Sequence, residues 1–151
     1  MKIILTASGG GHLEQLKQLD SLKNENEIIY LVAKNKVNRS MKNVQFVPEY
    51  RTETKIKKYY DLLKIFIVSY IFLKKQKPDV VISTGVAATF PICWLQKKVF
   101  KKKVIYIESF AKKTSGSKTG LMVYKFADYF IIQWEELKTV YPKAIYGGMI
   151  Y

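Results

Sequence analysis

Short apolar runs alternate along this chain with stretches in which apolar residues recur every three or four positions. Lys2 to Ala7 (KIILTA) is apolar almost throughout and ends at Ser8 and three consecutive glycines. Its length and continuity predict a strand buried on both faces. From His12 to Lys23 the apolar residues are Leu13, Leu16, Leu19 and Leu22, a helical spacing. Glu27 to Ala33 and Val44 to Pro48 read as the second and third strands, with the polar stretch Lys34 to Asn43 between them as a loop or short helix. A long helix follows from about Thr54 to Lys75. Pro78 and Asp79 then introduce Val80, Val81 and Ile82, a fourth strand broken by Ser83-Thr84-Gly85. Ala87 to Gln96 reads as a helix, Lys103 to Ile107 as a strand, Leu121 to Phe126 as a helix and Tyr129 to Ile132 as a sixth strand. Lys143 to Tyr146 is the candidate for a last strand. This alternation predicts an α/β fold: a single doubly wound, Rossmann-like domain with a mostly parallel sheet covered on both faces.

Composition narrows the partners more than the fold. The chain has 151 residues and a net charge of +14, and Arg39 and Arg51 are its only arginines. Lysine is a point charge suited to diffuse anionic surfaces, whereas bidentate base or phosphate recognition recruits arginine. An anionic membrane surface or a polyanionic ligand is therefore expected, and nucleic acid is not. With one cysteine, Cys93, and one histidine, His12, neither an internal disulfide nor a zinc site is expected. No metal and no cofactor is predicted. Met1-Lys2 leads into too short an apolar run for a secretory signal, so a cytoplasmic location is expected.

In a doubly wound sheet, ligands bind beyond the carboxyl ends of the strands. Three polar breaks fall there: Gly9 to His12, Ser83 to Gly85 and Glu108 to Gly116. The first is not a dinucleotide fingerprint, because Glu14 stands where the third glycine belongs. Gly116-Ser117-Lys118-Thr119 lacks the spacing of a P-loop. Two readings of Gly9, Gly10 and Gly11 are open: a tight turn, or a nest of backbone amides for a phosphate at a helix start. His12 is either a structural hydrogen-bonding residue or an acid, base or phosphate ligand near neutral pH. Glu108 either caps its loop through backbone amides or binds sugar hydroxyls or acts as a base.

Lys55 to Lys77 reads KIKKYYDLLKIFIVSYIFLKKQK. Between Ile65 and Leu73 it is apolar all round except at Ser69, with lysines at both ends. Such a helix is buried, or has one face on the sheet and the other in an anionic bilayer. The mainly apolar part, Tyr59 to Leu73, is shorter than the roughly 20 residues of a membrane span.

Taken in order, three segments resemble the acceptor-side half of a two-domain GT-B glycosyltransferase. They are SGGGHLEQL (Ser8 to Leu16), PDVVISTG (Pro78 to Gly85) and IESFAKKTSGSKTGLMVYKFADYFII (Ile107 to Ile132). They are most similar to the membrane-anchor subunits of the dolichol-pathway N-acetylglucosamine transferase and its bacterial capsule and exopolysaccharide counterparts. The N-terminal domain of MurG is a more distant likeness. The resemblance implies that residues 1–151 are one such half, stopping too early to include the donor-binding domain. A separate nucleotide-sugar-binding subunit would supply the donor. It implies an acceptor carried on a polyprenyl diphosphate, contacted by Gly9, Gly10, Gly11, Gly85, Ser115 and Gly116, with His12 and Glu108 as catalytic candidates. It also implies a membrane-facing patch, placed on Ile65, Phe66, Tyr70, Phe72, Leu73 and Trp94. Attachment to the cytoplasmic face would be peripheral, since the eukaryotic anchor's N-terminal membrane segment has no counterpart here. The apolar, aromatic segment Val140 to Tyr151 is the implied docking surface for the partner, through Tyr141, Ile145, Tyr146, Ile150 and Tyr151. The expected function is a two-component transferase subunit active only with its partner. The alternative is a non-catalytic membrane scaffold that recruits and stabilises that partner.

Overall fold

The fold was read from a computed structural model, which describes residues 1–34, 44–48, 50 and 54–150. Seven strands form one sheet: β1 (Lys2–Ala7), β2 (Glu27–Ala33), β3 (Val44–Val47), β4 (Val80–Ser83), β5 (Lys103–Ile107), β6 (Tyr129–Ile132) and β7 (Ile145–Tyr146). Their order is β3-β2-β1-β4-β5-β6-β7, and every adjacent pair is parallel. Among the described residues four α-helices join them: α1 (Gly11–Lys17), α2 (Lys55–Gln76), α3 (Phe90–Lys98) and α4 (Lys118–Val123). The doubly wound α/β expectation holds. All the strands expected from the apolar runs are present, although the last shortens to Ile145–Tyr146. Most of the stretch expected as a loop or short helix, residues 35–43, lies outside the described residues.

Successive side chains on a strand point to opposite faces, so each buried strand feeds two cores. From β1, Ile3, Leu5 and Ala7 join Leu13 and Leu16 of α1. Ile4, from the same strand, joins Ile65 and Leu73 of α2 and Ile92 and Leu95 of α3 on the other face. Cys93 belongs to that second core, where burial pushes its thiol up to about 12 and leaves it unreactive at neutral pH.

Local chemistry sets the helix ends. Thr54 has extended backbone, and its Oγ1 accepts a hydrogen bond from the Lys57 amide, starting α2. At the other end Lys77 turns into the left-handed region (φ 48°) and donates its N–H to the Leu73 carbonyl at 2.8 Å. Pro78 follows, and a helix cannot continue through it. Ser117 caps α4 by accepting from the Gly120 amide at 2.9 Å. That cap starts the helix three residues earlier than apolar spacing alone suggests. The run expected as one helix from His12 to Lys23 is instead α1 followed by a tighter turn at Asp20–Asn24.

The long helix resolves into two faces. Asp61, Ile65, Ser69 and Leu73 recur every fourth residue and are buried against the sheet and α3. Ile56, Tyr59, Tyr60, Leu63, Ile67, Tyr70 and Ile71 lie on the opposite side and are exposed. Among the described residues no helix is long and apolar enough to cross a membrane. Because Leu73 is fully enclosed and Ile71 is 60% exposed, Leu73→Ala should cost about 2–5 kcal/mol of stability. Ile71→Ala should stay within about 0.5 kcal/mol. Urea midpoints of the two variants check this; equal losses would contradict the assignment of faces.

Candidate functional site

Strand order reverses between β1 and β4, and the loops after these two strands meet at their carboxyl ends. Gly10 takes φ 81°, a conformation open to glycine, and turns the chain from β1 into α1 so that His12 lies on its first turn. The imidazole reaches the β4 loop, where its Nδ1 lies 2.7 Å from the Thr84 carbonyl oxygen. A carbonyl can only accept, so Nδ1 carries the hydrogen and, in the neutral ring, Nε2 carries the lone pair. Thr84 closes the clasp by donating its Oγ1 hydrogen to the His12 carbonyl at 2.8 Å. Gly85, at φ 109°, makes room for the ring. A β-carbon there would stand 3.4 Å from His12 Cε1 and 3.1 Å from the Tyr106 hydroxyl.

The half-buried His12 opens onto a cleft of about 160 Å³ lined by Gly11, His12, Gln15, Ser109, Phe110 and Ala111. Its far wall, the loop after β5, is held by bonds at several points. Trp134 donates its indole N–H to the Phe110 carbonyl at 2.7 Å, and the two rings lie 5.1 Å apart. Gln133 donates to the Glu108 carbonyl at 2.8 Å.

Glu108 itself is completely buried and does not line this cleft. Its Oε1 accepts from the Ser109 amide at 2.8 Å. Its Oε2 accepts from the Ser117 amide and hydroxyl, each at 3.1 Å, and from the Tyr141 hydroxyl at 2.6 Å. Three donors crowd Oε2 and one meets Oε1, and with no exposed surface the carboxylate is out of reach of a ligand in the cleft. The catalytic expectation for Glu108 is corrected: it is the anchor of its loop. Tyr141, expected at a partner surface, is also corrected to an interior residue that donates to that anchor. Burial, reinforced by the bond to Glu108, pushes its phenol well above the ordinary value. Gly116 packs directly against the Tyr141 phenol, and Ser115 is exposed beyond it. Neither reaches the cleft lining. The Gly85 amide donates to Ser83 Oγ at 3.1 Å, so the position expected to touch a diphosphate instead backs the histidine. Gly9, half-buried, and Gly10, exposed, lie in the turn beside the cleft.

A family profile described as "Oligosaccharide biosynthesis protein Alg14 like" matches residues 56–150, well over half of the sequence. The chain belongs to this Alg14-like family. Human UDP-N-acetylglucosamine transferase subunit ALG14 is 38% identical over 88 residues, covering 55% of this chain and 41% of the human one. The Candida albicans subunit of the same name is 29% identical over 115 residues, covering 70% and 52%. The chain thus spans about half the length of the curated relatives it matches. Among solved structures, Acinetobacter baumannii MurG superposes with a TM-score of 0.73 at 15% identity, over 89% of this chain and 42% of that one. A Methanocaldococcus jannaschii UDP-GlcNAc 2-epimerase gives 0.71 at 16% identity, over 92% and 41%. At these identities the likeness speaks to the fold: half of a GT-B architecture.

In this Alg14-like chain the surface expectations divide. Ile65 and Leu73, expected at a membrane, are 0% exposed and belong to the core, because their helical phase points them at the sheet. Phe66 and Phe72 are half-buried against that core, Phe66 meeting Trp94 edge-on at 5.9 Å. Tyr70 and Trp94 are exposed as expected. Ile145 and Tyr146 are exposed on β7, the edge strand. Ile150 is half-buried against the first core and donates its amide to Gln133 at 3.1 Å. Tyr151 lies outside the described residues. Ser109, Phe110 and Ala111 were foreseen only as part of the Glu108 to Gly116 break, and Gln15 was not foreseen. For Gln15 a signal existed, since a residue three after His12 on a helix shares its face. The anchor reading of Glu108 predicts that Tyr141→Phe costs about 1.5–3 kcal/mol, the range for a hydrogen bond to a charged group. Chemical denaturation checks this, and an unchanged midpoint would detach Tyr141 from the loop.

Proposed function

We propose that this chain is the acceptor-side subunit of a two-component glycosyltransferase. It presents a polyprenyl-diphosphate-linked sugar to a partner subunit that holds the sugar nucleotide. The observation that carries this reading is His12, held in one tautomer by Thr84 and opening onto a cleft at the switch point of an Alg14-like chain. Relatives named as UDP-N-acetylglucosamine transferase subunits make that nucleotide sugar the first donor to test. In the reaction, an acceptor hydroxyl attacks the anomeric carbon of the donor and the nucleoside diphosphate leaves with the electrons of the broken bond. The hydroxyl proton passes to His12 Nε2, the nitrogen left free by the bond from Nδ1 to Thr84. The Gly9 to Gly11 turn lies beside the cleft, where it serves the diphosphate. Residues 1–151 form the acceptor-side domain, and the exposed Ile145 and Tyr146 on the β7 edge offer the partner an apolar strand rim. The product feeds assembly of a surface polysaccharide of the capsule or exopolysaccharide kind.

The subunit works as a peripheral protein at the cytoplasmic face of the membrane. Support comes from the outer face of α2, where Ile56, Tyr59, Tyr60, Leu63, Ile67, Tyr70 and Ile71 form one exposed stripe. Exposed lysines flank it at Lys57, Lys58, Lys74 and Lys75. Apolar side chains at the acyl boundary and lysines at anionic headgroups act together, each lysine adding about 1 kcal/mol.

Transfer from UDP-N-acetylglucosamine to lipid-linked acceptor should require both subunits. His12→Gln should lower turnover about 100-fold or more while the pair still assembles. Unchanged turnover would remove His12 from the mechanism, and full activity from the partner alone would leave this chain a scaffold. In a separate flotation assay with anionic vesicles, the double variant Ile67→Glu, Ile71→Glu should bind at least about tenfold more weakly, as expected for two lost apolar insertions. Equal flotation would move the membrane surface elsewhere.

A further inference from the structure

Gln15 stands in an unusual position for an amide. It follows His12 by one turn of α1 and faces the same way, into the cleft wall opposite Ser109 to Ala111. It is 3% exposed, between the core residues Leu13 and Leu16, and its Oε1 is buried without a hydrogen-bond partner. Among the described residues its side-chain amide makes no hydrogen bond at either end. Gln96, the other buried glutamine with an orphan oxygen, is explained differently: its Nε2 ties α3 to the Pro78 carbonyl at 3.2 Å. A buried carbonyl without a donor is destabilising, and a leucine or methionine would fill the Gln15 site without that cost.

We propose that Gln15 recognises the sugar of the acceptor, its amide oxygen accepting a hydrogen bond from a hydroxyl or amide N–H on the ring nearest the diphosphate. The inference rests on the reading of the cleft as the acceptor site and makes it more specific. The chemistry separates the two parts of the ligand. An ionised diphosphate offers acceptors only and cannot satisfy a carbonyl oxygen, whereas a sugar offers several donors. The orphaned Gln15 oxygen therefore answers to the sugar, and the glycine turn to the phosphates. Its distance of one helical turn from His12 sets that ring beside the base. The loop anchored by Glu108 closes the other side.

The test uses the full chain and two kinds of probe in detergent micelles: farnesyl diphosphate, and the same diphosphate carrying N-acetylglucosamine, glucose or galactose. The parent should bind at least one sugar-bearing probe about tenfold tighter than the bare diphosphate, as expected for pairing an otherwise orphaned buried group. Gln15→Met should bind the bare probe as the parent does and shrink the sugar increment below about twofold. Its Tm should equal or exceed that of the parent, a shift opposite to that of a residue kept for structure. A Gln15→Met variant that retains the increment, or that melts several degrees lower, overturns the inference. A parent that binds bare and sugar-bearing probes equally overturns it while sparing the cleft reading. A parent that binds neither kind overturns the cleft reading and this inference with it.

Discussion

A carboxylate taken wholly out of water must find donors, and much of this domain is arranged around the four that Glu108 finds. The Ser109 amide ties the start of the cleft wall to Glu108, the first residue after β5. Ser117 contributes its amide and hydroxyl, and the same hydroxyl accepts from Gly120 to cap α4, so one side chain joins the buried charge to a helix start. Tyr141 reaches the charge from the far end of the chain and brings the segment before β7 onto the sheet. Donors 1, 9 and 33 residues along the chain converge on one ion. The loop that faces His12 has its origin anchored inside the protein.

The other side of the cleft is set by a different device. His12 and Thr84 exchange hydrogen bonds across the switch point, so the loops after β1 and β4 behave as one unit. The bond that holds the imidazole also chooses its tautomer. A histidine positioned in this way loses little freedom when a ligand arrives, as the proposed proton transfer to Nε2 requires. Neither wall depends on the outer face of α2, so that helix can present a continuous apolar stripe without weakening the site.

Secondary structure was largely legible in the sequence because its causes are local. The continuous run KIILTA could only be a strand buried twice, and its alternate residues do feed two cores. The cap at Thr54 and the stop at Lys77-Pro78 are visible as residue types, so α2 was placed within a residue or two. The rim position of His12 followed from the order of strand, glycines and helix. The order of loops pointed to the family before any coordinates.

What the sequence could not supply were relations between residues far apart along the chain. Ile65 and Ile67 read alike in a helix apolar all round, and only packing on the sheet makes one core and the other surface. Glu108 has the look of a catalytic carboxylate at a strand end; its donors lie 1, 9 and 33 residues away, and the last of them turns it into an anchor. Tyr141 looked like part of an apolar tail until that bond drew it inside. The period and type of neighbouring residues are written in order along the chain. Which face is inward and which polar group is already satisfied are decided by tertiary contacts, because burial and hydrogen-bond pairing belong to places in space.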